Sequence, residues 1–304
     1  MADSPNLVAL FYRKAAEKGD APFLWRKQDG NWISLSWTEA ARQVSALASA
    51  LVALGIEPGD RVALVAESRP EWPLADLAIM AVHGISVPAY ITNSVADHHH
   101  ILSDSGAKAV FVSSAALAKR VLPAARQAGS VGFAIAIEPV EPGDSGLAIH
   151  LWDDLLQAHG DDTAPDFDAI EGGETACLIY TSGTGGVPKG VMLSHAAILC
   201  NCRGATEILR PLGLGDEIFL SFLPLSHSYE HTGGLFFPIM IGAQIYYAEG
   251  IDKLAQNMVE VKPTIMAAVP TASGAASNRQ AAGARNCSRR PLRWGASVTR
   301  RRKV

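Results

Sequence analysis

The sequence predicts a mixed α/β fold with two lobes, each a mostly parallel sheet covered by helices. Three observations support this. Short apolar runs alternate with helical patterns over residues 1–137, a rhythm typical of parallel sheets. A loop rich in glycine and hydroxyl groups, residues 181–190, separates two further apolar runs. The 304 residues are 48% hydrophobic and 18% charged, which is an ordinary globular composition with room for about two domains.

The first elements of the chain are two helices separated by a hairpin. Apolar side chains recur at helical spacing over residues 6–18, and the Asp-Gly pair at 29–30 marks the hairpin turn. Ser36 and Glu39 form a capping-box pattern, in which each side chain satisfies a free backbone N–H at a helix start. This pattern predicts a second helix that ends near Gly55.

The alternation of strands and helices then continues to residue 137. The predicted strands span residues 61–66, 85–90, 109–113 and 132–137, and the predicted helices span residues 71–83, 94–104 and 115–129. The helix at 94–104 begins with a second capping box, Ser94 and Asp97, and contains three successive histidines, His98–His100. Neighbours on a helix point about 100° apart, so we predict a solvated helix face rather than a metal site.

Residues 159–174 hold six acidic side chains and no basic one, and they are the best candidate for a boundary between lobes. We therefore predict a first lobe at 1–170 and a second at 171–270, the latter carrying the glycine-rich loop. The second lobe's predicted elements are strands at 176–181, 190–193, 217–223, 244–248 and 264–269, and helices at 194–209 and 251–261.

The loop between the strands at 176–181 and 190–193 has the composition of a polyphosphate cradle. Glycines allow backbone N–H groups to approach a ligand closely, and successive N–H groups form an anion site. Hydroxyls and one lysine add further donors suited to phosphate. The loop is neither a P-loop nor a dinucleotide fingerprint, because Pro188 precedes Lys189 and Gly190 follows it. A surface hairpin is the weaker alternative.

Residues 180–190 closely resemble the phosphate-binding signature of the adenylate-forming enzymes, which include acyl-CoA synthetases, adenylation domains and luciferases. Most members have a second threonine where this chain has Gly185, which removes one hydroxyl. The resemblance implies that the fold is an incomplete large N-terminal domain of such an enzyme. It also implies that Thr184 contacts Mg²⁺. The residues implied to hold the phosphates of ATP are Thr181, Ser182, Gly183, Thr184, Gly185, Gly186 and Lys189.

Residues 222–234 resemble the long-chain acyl-CoA synthetase branch, which carries a Pro-Leu-x-His element after a strand. His227 matches the histidine of that element, which in the family lies beside the adenylate and the acyl carboxyl; we interpret it as a catalytic-site residue. For Glu230 and His231 a solvated turn is the preferred interpretation. Ser194 and His195 match a further family pair, although helix capping explains Ser194 without chemistry.

By resemblance, the reaction joins a long-chain fatty acid to coenzyme A through an acyl-AMP intermediate, with ATP and Mg²⁺. No apolar run reaches the ~18 residues of a membrane span, and no signal peptide is evident. The four cysteines fit neither a zinc site nor a disulfide framework. We therefore expect a cytoplasmic protein; peripheral membrane association stays open.

The resemblance weakens after residue 270. Nine of the 26 Lys and Arg residues and none of the 30 acidic residues lie in residues 271–304, so the first 270 hold 17 basic and 30 acidic side chains. We predict that 271–304 is a basic low-complexity tail, either out of frame or disordered, on a synthetase truncated near residue 270. The alternative is a genuine basic segment that binds nucleic acid or acidic surfaces.

Three functions therefore remain open from the sequence. The first is an acyl-CoA ligase, the second is a nucleotide-binding remnant without turnover, and the third is an interaction protein that uses the basic tail. The family elements expected downstream, which hold adenine and ribose and supply a catalytic lysine, are absent from the 304 residues.

Overall fold

The computed structural model describes residues 4–141, 143–163, 165–181 and 187–268, and of residues 144 and 297–300 the backbone only. Its helices and strands follow the predicted order closely. The α-helices of the described residues are α1 (Leu7–Lys18), α2 (Trp37–Ala53), α3 (Glu71–Ala81), α4 (Val95–Ser105), α5 (Ala115–Ala128), α6 (Trp152–Ala158), α7 (His195–Leu209), α8 (Ser228–Glu230), α9 (Phe237–Ile241) and α10 (Leu254–Val261).

The strands are β1 (Pro22–Gln28), β2 (Asn31–Ser36), β3 (Arg61–Val65), β4 (Ile85–Pro88), β5 (Ala109–Val112), β6 (Phe133–Ala136), β7 (Ala148–Leu151), β8 (Thr175–Thr181), β9 (Lys189–Ser194), β10 (Ile218–Ser221), β11 (Gln244–Tyr247), β12 (Ile265–Ala268) and β13 (Ser297–Arg300). Short 3-10 segments and one π-helical segment, His231–Phe236, connect them. The predictions missed β7 and α6.

Two sheets organise these strands. The first has the order β7-β6-β5-β3-β4-β8-β9, parallel throughout except for the antiparallel pair β8–β9. The second has the order β13-β12-β10-β11-β1-β2, with antiparallel pairs at both ends. Most parallel strands that follow each other in sequence are connected through a helix, the usual crossover between parallel strands.

The predicted boundary at residue 170 does not separate these two sheets. Strands β8 and β9 extend the first sheet, where Cys177 pairs with Ser86 of β4. Strands β1 and β2 extend the second sheet, where Leu24 pairs with Ile245 of β11. The physical reason is that strand pairing joins edges that are close in space, which sequence distance does not reveal. The loop after β8 therefore belongs to the first sheet.

Helix α3 lies in the shared core of the two sheets. Every residue from Trp72 to Ala81 is buried, and a helix that is apolar on all sides is expected in a protein interior. Side chains from both sheets, such as Leu64 of β3 and Phe219 of β10, belong to the same apolar cluster as Trp72. The two lobes therefore share one core.

The two predicted capping boxes have different outcomes. At α4 the box is complete, because the Ser94 hydroxyl accepts from the Asp97 N–H and the Asp97 carboxylate accepts from the Ser94 N–H. At α2 the Ser36 hydroxyl accepts from the Glu39 N–H at 3.1 Å. The Glu39 carboxylate instead binds Arg42, so only half of that box forms.

The acidic segment at 159–174 packs against α1. The side-chain amide of Asn6 donates to the carbonyl oxygens of Phe167 and Ile170, at 2.8 and 2.9 Å. The Phe167 ring stacks on Tyr12 with a centroid distance of 4.5 Å, and Ile170 is fully buried. The segment is thus anchored in the described part of the structure.

The basic segment predicted at 271–304 lies mostly outside the described residues. Within it, the backbone of β13 pairs antiparallel with β12. The nature of the tail stays a prediction. Among the described residues, no helix has both the length and the hydropathy needed to cross a bilayer.

Candidate functional site

The glycine-rich loop connects two strands whose ends lie side by side. In the antiparallel pair β8–β9, Thr181 stands opposite Lys189, and both residues are exposed. The structure therefore brings together the first and last of the predicted phosphate-binding residues. The other five, Ser182, Gly183, Thr184, Gly185 and Gly186, lie outside the described residues, so their contacts stay predictions.

Helix α4 contacts the residues next to this loop, at the end of β8 and just before β9. The Tyr180 hydroxyl donates to Asp104 Oδ2 at 2.6 Å, and burial together with that carboxylate raises the pKa of Tyr180. His100 Nε2 lies 2.8 Å from the carbonyl oxygen of Pro188. A Cβ added to Gly190 would lie 3.1 Å from the Tyr180 ring, so glycine permits the close approach of ring and strand. The sequence predictions did not identify Tyr180, Asp104 or His100 as site residues, although the i,i+4 spacing of the last two was a usable signal.

The three histidines of α4 do not form a solvated face, which corrects the prediction. His98 is 1% exposed, and burial, helped by nearby Arg120, lowers its pKa to about 4. The reason is that α4 packs closely against α5, a contact that a local histidine run does not reveal. Among the described residues no group of three or more His, Cys, Asp or Glu side chains could hold a metal ion.

His227, the predicted catalytic-site residue, follows β10 and is exposed. Its Nδ1 accepts a hydrogen bond from the backbone N–H of Tyr229 at 3.1 Å, which caps α8. The position after the carboxyl end of a parallel strand is where α/β sheets present ligand-binding residues. The role beside an acyl-adenylate stays a prediction.

Glu230 is buried, so the interpretation of this segment as a solvated turn is wrong. The residue is 1% exposed, and its Oε1 accepts a 2.6 Å hydrogen bond from the Ser221 hydroxyl. Burial raises the pKa of Glu230 to about 7. Its Oε2 has no hydrogen-bond partner among the described residues. The segment turns inward because it continues into apolar helices that fill the core.

His231 is also buried, and it contacts one residue on a helix and one on a strand. Its Nε2 lies 2.8 Å from Asp76 Oδ2 on α3, and its Nδ1 lies 3.9 Å from the Cys177 sulfur on β8. Burial lowers the pKa of His231, but the charge of Asp76 outweighs this effect and raises it above its usual value. Sequence patterns did not predict this pair, because Asp76 is 155 positions away along the chain.

The π-helical segment His231–Phe236 forms one wall of an apolar cavity of about 530 Å³, within the range of small-molecule sites. Thr232 and Gly233 face this cavity. Single-turn π-helices are often found at functional sites. The rest of the lining comes from β9, α7, β10, α8, α9 and β12: Leu193, Ala197, Ile198, Asn201, Ala205, Leu209, Phe219, Ser228, Tyr229, Phe237, Ile265 and Ala267.

The cavity lies next to two predicted site segments. Leu193 is four residues after Lys189 on β9, or about 13 Å along the strand. Ser228 and Tyr229 directly follow His227. The lining does not include His227 itself. An apolar cavity therefore begins within one strand length of the predicted phosphate site.

Ser194 and His195 begin α7 at the other end of β9. The Ser194 hydroxyl accepts from the Ala197 N–H at 3.2 Å, which confirms its predicted role as a helix cap. His195 is buried, and its Nδ1 accepts from the Leu7 N–H at 3.3 Å. Burial lowers the pKa of His195 to about 4, so the neutral ring joins α7 to α1.

A family model described as "AMP-binding enzyme" matches residues 11–296 of this chain. The chain belongs to this family. The match extends past residue 270, where the resemblance seen in the sequence weakened. The predicted identification as a member of the adenylate-forming enzymes is thereby confirmed, and so is the α/β fold class.

Curated relatives carry names of the predicted branch. Long-chain-fatty-acid–CoA ligase FadD15 of Mycobacterium tuberculosis is 28% identical over 273 residues, which cover 89% of this chain and 44% of the relative. Long chain acyl-CoA synthetase 6, peroxisomal, of Arabidopsis thaliana is 29% identical over 247 residues, covering 79% of this chain and 35% of the relative. The chain thus spans less than half the length of these proteins.

Solved structures agree on the fold. The N-terminal domain of FACL13 from Mycobacterium tuberculosis, bound to an inhibitor, superposes with a TM-score of 0.74 at 23% identity, covering 90% of this chain and 65% of that one. The apo structure of Mycobacterium smegmatis MbtA gives a TM-score of 0.78 at 20% identity, with coverages of 91% and 50%. At these identities the likeness is one of fold alone.

Proposed function

We propose that this chain binds ATP at the β8–β9 loop and activates a fatty acid, first to acyl-AMP and then to acyl-CoA. The observation that carries the proposal is the apolar cavity whose wall includes Leu193, on the same strand as Lys189. A long apolar chain in this cavity would direct its carboxylate out of the apolar lining. The names of the curated relatives support this substrate class.

In the first step a carboxylate oxygen of the fatty acid bonds to the α-phosphorus of ATP, and the bond to the departing pyrophosphate breaks. The hydroxyl of Thr181 and the ammonium of Lys189 donate to the phosphates, with the five loop residues between them. Donors placed where charge develops lower the barrier to such a step. In the second step the thiol of coenzyme A gives up its proton to solvent and its sulfur bonds to the acyl carbon, while the bond from that carbon to the AMP oxygen breaks and AMP leaves. His227 would lie beside the acyl-adenylate.

Magnesium fits this donor set. Mg²⁺ prefers oxygen ligands and is commonly held by one or two protein groups together with substrate phosphates. The Thr184 hydroxyl and the ATP phosphates would be such ligands. When bound, the ion would share the negative charge of the phosphates.

The test is ATP-dependent formation of acyl hydroxamate by the purified chain, with palmitate and butyrate as acids. A Gly233→Phe variant should fill the cavity, because a Cβ at Gly233 meets no atom within 4 Å. We expect its KM for palmitate to rise at least tenfold, roughly what one lost pocket contact of 1–3 kcal/mol gives, while the KM for butyrate changes little. Gly204→Phe is the control, since a Cβ at this exposed position of α7 also meets no atom.

The second candidate function is nucleotide binding without turnover. It needs only the phosphate contacts proposed for Thr181 and Lys189, which stand opposite each other in the β8–β9 pair. Calorimetric titration with ATP and Mg²⁺ separates the two functions. Binding without hydroxamate formation would favour the second, whereas sustained turnover would exclude it.

A further inference from the structure

We propose that His100 and Asp104 of α4 are positioning residues that hold the two strand ends at Thr181 and Lys189 in register for the phosphates of ATP. This inference rests on the proposed function, because it assigns a support to the same site. Neither residue is needed to contact ATP. Each acts through a residue of the β8–β9 hairpin that neighbours a predicted phosphate-binding residue.

On the β8 side, the support acts through Tyr180. Its hydroxyl donates to Asp104 Oδ2 at 2.6 Å, and the residue is 6% exposed. Successive side chains on a strand point to opposite faces. Tyr180 therefore anchors one face of β8 on α4, while the exposed Thr181 is presented on the other.

On the β9 side, the support acts through the peptide that precedes Lys189. The carbonyl oxygen of Pro188 can only accept a hydrogen bond, so His100 Nε2, at 2.8 Å, must carry the hydrogen. This bond orients the Pro188–Lys189 peptide plane. The His100 ring also meets the Tyr180 ring edge to face, with centroids 6.0 Å apart at 89°, so the two supports touch each other.

Both supports come from one well-anchored helix. His100 and Asp104 are four residues apart, and side chains at this spacing lie on the same face of a helix. A complete capping box at Ser94 and Asp97 begins α4, and Gly106 in the left-handed conformation ends it. Ile101, on a different face, is buried in the core. If one strand end moved relative to the other, it would therefore lose its contact with this capped and packed helix.

Three variants and one matched control test the proposal. His100→Leu and Tyr180→Phe each remove one hydrogen bond, whereas His100→Gln retains an N–H donor. His99→Leu is the control, because this half-buried neighbour lies on the same helix. Hydrogen–deuterium exchange of the ATP-free protein is followed at the backbone amides of residues 189–191 and 178–181. Calorimetry then gives the Kd for ATP with Mg²⁺, and hydroxamate formation gives the KM for palmitate.

We expect His100→Leu to speed exchange at residues 189–191 and to raise the Kd for ATP about three- to tenfold, the range set by one net hydrogen bond. The KM for palmitate should stay within twofold, and His100→Gln should recover most of the affinity for ATP. Tyr180→Phe should act mainly at residues 178–181. A merely structural role would change the affinities for both substrates together.

The outcomes distinguish this inference from the proposed function. Equal exchange in His100→Leu and His99→Leu would overturn the support itself. Faster exchange with an unchanged Kd, in a wild-type chain that binds ATP, would overturn its role toward ATP. If the wild-type chain does not bind ATP at millimolar concentration, the proposed function fails, and with it the assignment of the supports to ATP.

Discussion

His231 Nε2 lies 2.8 Å from Asp76 Oδ2, and both side chains are completely buried. The bond connects the π-helical segment after β10 to α3, the helix buried in the shared core. A buried carboxylate on an otherwise apolar helix face is costly unless it is paired, and His231 is its partner. The contact therefore joins the segment that lines the apolar cavity to the centre of the molecule.

Breaking this pair from one side should be strongly destabilising. We expect His231→Leu to lower the free energy of unfolding by about 3–5 kcal/mol, because it leaves the Asp76 charge buried and unpaired. The double variant His231→Leu, Asp76→Leu should recover most of this loss. Urea unfolding of the wild type, both single variants and the double variant gives the coupling.

A control for that cycle is the surface pair of Arg42 and Glu39, whose side chains are 44% and 37% exposed. Glu39→Ala should cost at most about 1 kcal/mol. A double variant at 231 and 76 that is no more stable than the single variants would show that the pair contributes by shape rather than by charge.

Glu230 should make stability depend on pH in the opposite direction from an ordinary ion-paired carboxylate. Its pKa is raised from 4.5 to about 7, so between these values the folded state binds more protons than the unfolded state. Stability from this group is present below pH 4.5 and is lost as pH rises through 7. Glu230→Gln should therefore unfold with a free energy higher by on the order of 2–3 kcal/mol at pH 8.

The same comparison at pH 4.5 should show only a small difference between Glu230→Gln and the wild type, since the Glu230 side chain is then neutral in the folded state, as glutamine is. Denaturant unfolding of the two proteins from pH 4.5 to 8 provides the measurement. A stability difference that does not change with pH would mean that Glu230 does not titrate in this range.

His98 should make the fold sensitive to acid. Burial lowers its pKa from 6.5 to about 4, so the unfolded state binds more protons between these values. The stability that this group contributes is present above pH 6.5 and falls as pH drops toward 4. Between pH 7 and 4, the free energy of unfolding of the wild type should fall by on the order of 2–3 kcal/mol more than that of His98→Leu.

His99→Leu is the matched control for this titration, because it lies on the same helix at a half-buried position. As the pH is lowered, the free energy of unfolding of His99→Leu should fall in parallel with that of the wild type. Parallel curves for His98→Leu as well would show that His98 is not the acid-sensitive group.

Two adjacent glycines of the π-helical segment should respond oppositely to a methyl group. A Cβ at Gly234 would clash with the Glu230 carboxyl, whereas a Cβ at Gly233 meets no atom within 4 Å. We expect Gly234→Ala to lower the free energy of unfolding by about 1–3 kcal/mol, the usual cost of overpacking. Gly233→Ala should be neutral or slightly stabilising; equal losses for both would instead point to backbone effects common to the segment.

Local sequence patterns determined most helices and strands of this protein, because caps and periodicity act between neighbours. Ser94 and Asp97 predicted the start of α4, and Ser194 the start of α7, since each contact closes within three residues. The residues of the glycine-rich loop predicted the family, because a phosphate site needs glycines, hydroxyls and a cation within a few positions.

Only the tertiary structure decided which strands share a sheet and which polar side chains are buried. Strands β8 and β9 join the first sheet through β4, far away in sequence. The local sequence around Glu230 and His231 is typical of a solvated turn, but in the fold Glu230 binds Ser221 and His231 binds Asp76. The physical reason is that burial and charge pairing depend on distance in space, and these partners are separated by up to 155 positions along the chain.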